Sequence, residues 1–145
     1  MNDRPPLLVL DDTEGRIEAA PAATRMRELA DVRFLRTPLA DVPDDALTDV
    51  RFLLAIRERT RLDAATLARL PALELILQTG GHAYHLDADA ARARGVTVAL
   101  QRRGTAARAA VPELTFALMI GCLRRVPEAV RGIGDGAWPA LMGRC

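Results

Sequence analysis

One hundred and forty-five residues, half of them apolar and 27% charged, are enough for one globular domain that buries roughly 70% of its unfolded surface, and they exclude a disordered chain. Twenty basic against nineteen acidic side chains leave a net charge of +1, so no strong field recruits nucleic acid or an anionic membrane. Every basic residue is arginine, which rules out Schiff-base chemistry, pyridoxal tethering and a Walker lysine. Cys122 and Cys145 form no framework of spaced disulfides, so a reducing, cytoplasmic setting is expected. The apolar run after Pro6 is too short for a signal sequence or a membrane span.

In chain order, residues 7–10 are a continuous apolar run closed by Asp11-Asp12, the pattern of a strand buried on both faces. A helix over 22–30 and a strand over 32–35 follow. Residues 36–48, with two prolines and three aspartates, read as a loop with one helical turn before a strand at 50–56. Asp63 caps a helix carrying Leu67 and Leu70, Pro71 stops it, and 73–77 is a strand ending in Gln78-Thr79-Gly80-Gly81. Asp87 caps the next helix, Gly95 suits its left-handed C-terminal position, and 96–100 is a fifth strand. Five strands alternating with helices predict an α/β fold, a doubly wound parallel sheet. Beyond a basic loop at 101–108, residues 111–125 form a helix with Pro112 in its first turn. Leu114, Phe116, Leu118, Met119, Ile120, Cys122 and Leu123 leave it little polar face, so it is expected to pack on more than one partner, with Cys122 as a core thiol. Residues 131–145 lack periodicity and read as a linker.

Four groups of residues could carry chemistry. Thr79-Gly80-Gly81-His82 closes a parallel strand at its carboxyl end, where open α/β sheets place ligands, and paired glycines let backbone N–H groups approach an anion. A plain tight turn is the alternative. Arg57 and Arg59 share a face if extended and could point into the same crevice, which suits an anionic substrate. A solvated edge with Glu58 and Arg61 accounts for them equally well. His82 and His85 lack a third metal ligand at suitable spacing, and Asp87 is better explained as a cap, so no metal site is expected. Asp11-Asp12 resembles the acidic pair of phosphorylation receiver domains, but that chemistry needs a lysine and the chain has none.

Several ordered segments resemble the substrate-binding domain of the NAD-dependent D-isomer-specific 2-hydroxyacid dehydrogenases, the phosphoglycerate dehydrogenase group. They are Leu53-Leu54-Ala55-Ile56-Arg57-Glu58-Arg59-Thr60, Leu67-Ala68-Arg69-Leu70-Pro71, Leu86-Asp87-Ala88-Asp89-Ala90-Ala91, and Val111-Pro112-Glu113-Leu114, which resembles the family's interdomain helix. The resemblance implies a flavodoxin-like substrate-binding domain over residues 1–110, an interdomain helix over 111–126 and a linker over 127–145 toward an absent NAD-binding Rossmann domain. It implies that the Thr79, Gly80 and Gly81 loop holds the substrate carboxylate through backbone N–H groups, Thr79 and Gly80 foremost. Arg57 and Arg59 would lie near the substrate's distal group, and Arg108 and Val111 would approach the nicotinamide ribose. Arg108 stands where a small hydroxyl residue is usual, and His82-Ala83-Tyr84-His85 replaces the family's Gly-Val-Asp-Asn or Gly-Val-Asp-His segment.

No G-x-G-x-x-G follows a strand, and Gly132-Ile133-Gly134-Asp135-Gly136 lacks both the strand and the helix of a dinucleotide site. The family's catalytic arginine, glutamate and histidine fall in or beyond the missing domain, so no catalytic residue is assigned. The expectation is the substrate lobe of a dehydrogenase acting on a small 2-hydroxy or 2-oxo acid, inactive alone. It would bind no cofactor by itself, NAD(H) belonging to the full-length family, and helix 111–125 would meet a Rossmann domain, another chain or a second copy in a homodimer. The alternative is a stand-alone flavodoxin-like module that binds a small carboxylate or docks a partner along that helix.

Overall fold

The computed structural model describes residues 4–101 and 106–138, and the chain divides into two compact units, Met1–Arg103 and Gly104–Cys145. The first unit contains β1 (Pro6–Val9), α1 (Pro21–Leu29), β2 (Asp31–Phe34), β3 (Phe52–Ala55), α2 (Ala64–Ala68), β4 (Leu75–Gln78), α3 (Ala88–Ala93) and β5 (Thr97–Leu100). The strands form one parallel sheet in the order β2-β1-β3-β4-β5. The α/β doubly wound architecture expected from the sequence is therefore present, with strand ends displaced by no more than about two residues, the usual scatter of such boundaries.

The side on which each connection lies follows from handedness. Parallel crossovers are right-handed, so the step from β1 out to β2 puts α1 on one face. The steps from β2 over β1 to β3, then to β4 and β5, put their connections on the other. Accordingly Leu39 and Leu47, from two short 3₁₀ turns between β2 and β3, join Leu67 of α2 and Ala91 of α3 over Leu8, Leu10, Leu53 and Ile76. The opposite face holds Leu7, Val9 and Ala30, with Ile17, Met26 and Phe34 against them. There α1 serves β1 and β2, while Leu54, Leu75, Leu77 and Ala99 remain half-buried.

Local chemistry fixes the helix ends. The Asp63 carboxylate accepts the Thr66 N–H at 2.9 Å and that of Asp87 accepts the Ala90 N–H at 2.9 Å, so both caps stand as the sequence predicts. The Thr66 bond holds the Asp63 carboxyl below the ordinary carboxylate range. Gly95 follows α3 at φ +72°, a conformation that disfavours any residue with a Cβ.

The second unit differs from the sequence expectation. Its first helix, α4, runs over Ala106–Leu123, so Pro112 lies inside it rather than in the first turn and leaves the carbonyl four residues earlier without an amide donor. A further helix, α5 (Val126–Gly134), overlaps the first part of the segment read as a linker. Pro127 suits its first turn, and Val126, Val130 and Ile133 repeat at helical spacing. The glycines at 132 and 134 hide that stripe. Arg125, at φ +54°, breaks the chain between the two helices. Cys122 is exposed rather than a core thiol, and Leu114, Phe116 and Ile120 are each more than half exposed. No helix among the described residues is long and apolar enough to cross a membrane. Residues 102–105 of the basic loop and 139–145 of the expected linker, Cys145 included, lie outside the described residues.

Leu53 is fully buried at the centre of the sheet. Leu53→Ala is expected to lower the unfolding free energy by about 2–5 kcal/mol in urea denaturation followed by circular dichroism. A loss below about 1 kcal/mol would contradict the central placement of this side chain.

Candidate functional site

In an open parallel sheet the carboxyl ends of two adjacent strands part where their connections leave toward opposite faces, and the gap accepts ligands. In this chain the gap lies between β1 and β3. A cleft of about 330 Å³ opens there, lined by Asp11, Asp12, Glu14, Arg16, Ile17, Ile56, Arg57 and Arg59. The residues just past the two strands share an uncommon backbone: Asp11 stands at φ +58° and Arg57 at φ +60°. Left-handed residues with a Cβ are disfavoured and collect at functional sites.

Each residue of the cleft has a definable place. Asp12 is buried, and its carboxylate accepts the Ile17 N–H at 3.0 Å and the Glu18 N–H at 2.8 Å, shaping the turn between β1 and α1. Arg59 donates to the Asp11 carbonyl at 3.0 Å and the Thr13 hydroxyl at 3.3 Å, and the Thr60 hydroxyl donates to the Asp11 carboxylate at 2.9 Å. Arg16 pairs with Glu14. The Arg57 guanidinium has no hydrogen-bond or ion-pair partner among the described residues. Arg57 and Arg59 thus share the cleft, as the sequence suggests, but for a different reason. They lie beyond the extended part of β3, and Arg59 serves the cleft wall while Arg57 is uncommitted.

The glycine turn lies beside the cleft. The Thr79 N–H donates to the Ala55 carbonyl at 3.1 Å, continuing the β3–β4 ladder, so it is not a free donor for a carboxylate. The Thr79 hydroxyl accepts the Arg57 N–H at 3.2 Å. The Gly80 and Gly81 N–H groups meet no acceptor among the described residues. Neither glycine has a positive φ, and a Cβ on Gly80 would come no nearer than 3.5 Å to Gln78 Nε2. The turn itself therefore does not require glycine at position 80.

His82 Nδ1 lies 2.7 Å from Glu58 Oε1, the same oxygen accepts the Tyr84 N–H at 3.3 Å, and the His82 and Tyr84 rings stack at 4.7 Å. This joins the loop after β3 to the loop after β4. The hydrogen bond from His82 is the chief reason that the Glu58 carboxyl sits below the ordinary carboxylate range. Among the described residues, His85 Nδ1 is buried without a partner and no three His, Cys, Asp or Glu side chains gather as metal ligands. Arg108 and Val111 are exposed on α4, in the other unit. Sequence reasoning missed Gln78 and Glu58. Gln78 is the only polar residue of β4, which was the available signal.

Because its folded pKa is depressed, Glu58 contributes stability above its unfolded pKa and loses it as pH falls through the folded value. His82→Ala is expected to raise the Glu58 pKa toward the ordinary carboxylate value in a carbon-13 NMR titration of the side-chain carboxyl. An unchanged titration would contradict the pairing.

Comparison with known proteins gives the family and the fold. Residues 8–117 match the model of the D-isomer specific 2-hydroxyacid dehydrogenase catalytic domain. The D-3-phosphoglycerate dehydrogenase of Mycobacterium tuberculosis is 29% identical over 120 residues, 83% of this chain and 22% of that protein. A phosphoglycerate oxidoreductase structure from Vibrio cholerae superposes with a TM-score of 0.76 at 29% identity, covering 95% of this chain and 44% of the other. The D-lactate dehydrogenase of Aquifex aeolicus, solved in complex with NAD and lactic acid, shares the fold at a TM-score of 0.69 and 18% identity, over 96% of this chain and 40% of its own. This chain thus spans less than half the length of these relatives, and it belongs to the D-isomer-specific 2-hydroxyacid dehydrogenase family.

Proposed function

We propose that this chain is the substrate-binding lobe of an NAD-dependent dehydrogenase that interconverts a D-2-hydroxy acid and its 2-oxo acid. The observation that carries the reading is the pairing of two unengaged amides, Gly80 and Gly81, with an unengaged guanidinium at Arg57, across a loop contact at Thr79. Backbone N–H groups receive a carboxylate at no cost in side-chain ordering, and arginine offers a second, charge-assisted grip on a distal anionic group. The lobe would bind and orient the acid. Thr79 would act through its hydroxyl, Arg59 would hold the cleft wall, and Gly80, Gly81 and Arg57 would touch the ligand.

The described residues do not fit a dinucleotide. The turn after β1 carries Asp11 and Asp12 instead of glycines, and the Asp12 carboxylate already takes the amides that a phosphate would seek. We therefore assign no step of hydride transfer to these residues. NAD would be held by a second, Rossmann-type unit meeting the apolar surface of α4, the helix that carries Arg108 and Val111. The same surface supports the other reading, a cytoplasmic binding module that docks a partner or a second copy there.

Calorimetric titration with D-3-phosphoglycerate and D-lactate tests the proposal. Both acids should bind, Gly80→Ala should weaken both by about tenfold while leaving the thermal midpoint in place, and Arg57→Ala should weaken only the phosphorylated acid. The 145-residue chain should not oxidise NADH with the corresponding 2-oxo acids. Absence of binding by either acid, or turnover above a protein-free control, would contradict this reading.

A further inference from the structure

Arg57 presents a problem of local conformation. At φ +60° its Cβ crowds its own backbone, and an exposed loop residue free to relax would leave the left-handed region. Two side chains from the end of β4 prevent that. Gln78 Nε2 donates to the Arg57 carbonyl at 2.9 Å, and the Thr79 hydroxyl accepts the Arg57 N–H at 3.2 Å. Both polar groups of one backbone residue are thus captured by the last residue of the neighbouring strand and the residue that follows it. Asp11, the other left-handed residue of the cleft, is held differently, by Arg59 and Thr60 of the loop after β3.

The arrangement carries an evident cost. Gln78 is 4% exposed, and its Oε1 is buried with no hydrogen-bond partner among the described residues, which is destabilising. An apolar side chain at this position, on the same face as Ile76, would avoid the stranded acceptor. The Arg57 carbonyl, in an exposed residue, would then turn to water. Glutamine at this position therefore costs stability while it holds the Arg57 carbonyl.

We propose that Gln78 and Thr79 are positioning residues that clamp the Arg57 backbone in its left-handed conformation, so that the guanidinium is presented to the cleft as the receptor of the acid's distal anionic group. The ligand half of this statement rests on the function proposed above, and the clamp stands on the hydrogen bonds alone. Thr79 and Gln78 touch no ligand in this scheme. They act through Arg57, and they tie it to the adjacent glycine turn, so that both ends of one small acid are read by a single rigid element.

The test uses the whole chain and D-3-phosphoglycerate as the probe. In Thr79→Val, which keeps the backbone bond to Ala55, the Arg57 amide should exchange with deuterated water about tenfold faster than in the wild type, and Thr79→Ser should restore slow exchange. Thr79→Val and Gln78→Leu should each weaken the probe by about tenfold with no further loss when combined with Arg57→Ala, and Gln78→Leu should melt no lower than the wild type. Unchanged Arg57 exchange in Thr79→Val overturns the clamp. Losses of affinity that persist in the Arg57→Ala background overturn the presentation of Arg57. If the wild type does not bind the probe, the proposed function fails, and the exchange measurement decides the clamp by itself.

Discussion

Parallel pairing of β1 with β3, from Leu7↔Phe52 to Val9↔Leu54, is the constraint on which the rest of the first unit depends. It places β2 on one side of β1 and β4 and β5 on the far side of β3. Right-handed crossovers then have no choice of face, and the two sheet faces acquire different covers. The same pairing ends at one edge in two loops that leave in opposite directions, and the cleft is the space between them. Fold and site are consequences of one strand register.

The energetic division within the unit follows the same line. Stability is concentrated on the face where Leu10, Leu47, Leu53, Leu62, Leu67, Leu70 and Ile76 are fully buried. Polar groups with unusual environments collect at the carboxyl edge: buried Asp12 and Gln78, left-handed Asp11 and Arg57, the His85 Nδ1 that is unpartnered among the described residues, and the pair of Glu58 and His82. A rigid apolar base with strained or under-satisfied groups at one end is how folded proteins carry sites that stability alone would not select.

Much of this was legible in the sequence, because the information is local. The run ending at Asp11-Asp12 betrays a doubly buried strand, Asp63 and Asp87 announce helix starts three residues ahead of their amide partners, and Gly95 marks a left-handed stop. What escaped depends on atoms distant in the chain. The commitment of the Thr79 amide to Ala55 follows from strand register, and the left-handed state of Arg57 depends on side chains 21 and 22 residues away. The start of α4 ahead of Pro112 and the existence of α5 were hidden by residues whose local preferences argue against a helix, the proline and the glycines at 132 and 134.

The central claim is that the amides of Gly80 and Gly81, with Arg57 beside them, receive a small 2-hydroxy acid. The most direct measurement is a nitrogen-15 NMR titration of the whole chain with D-3-phosphoglycerate. Saturable shifts of the Gly80, Gly81 and Arg57 amides, with α4 unmoved, are the predicted result. Shifts confined to α4 and α5, or no shifts at all, would contradict it.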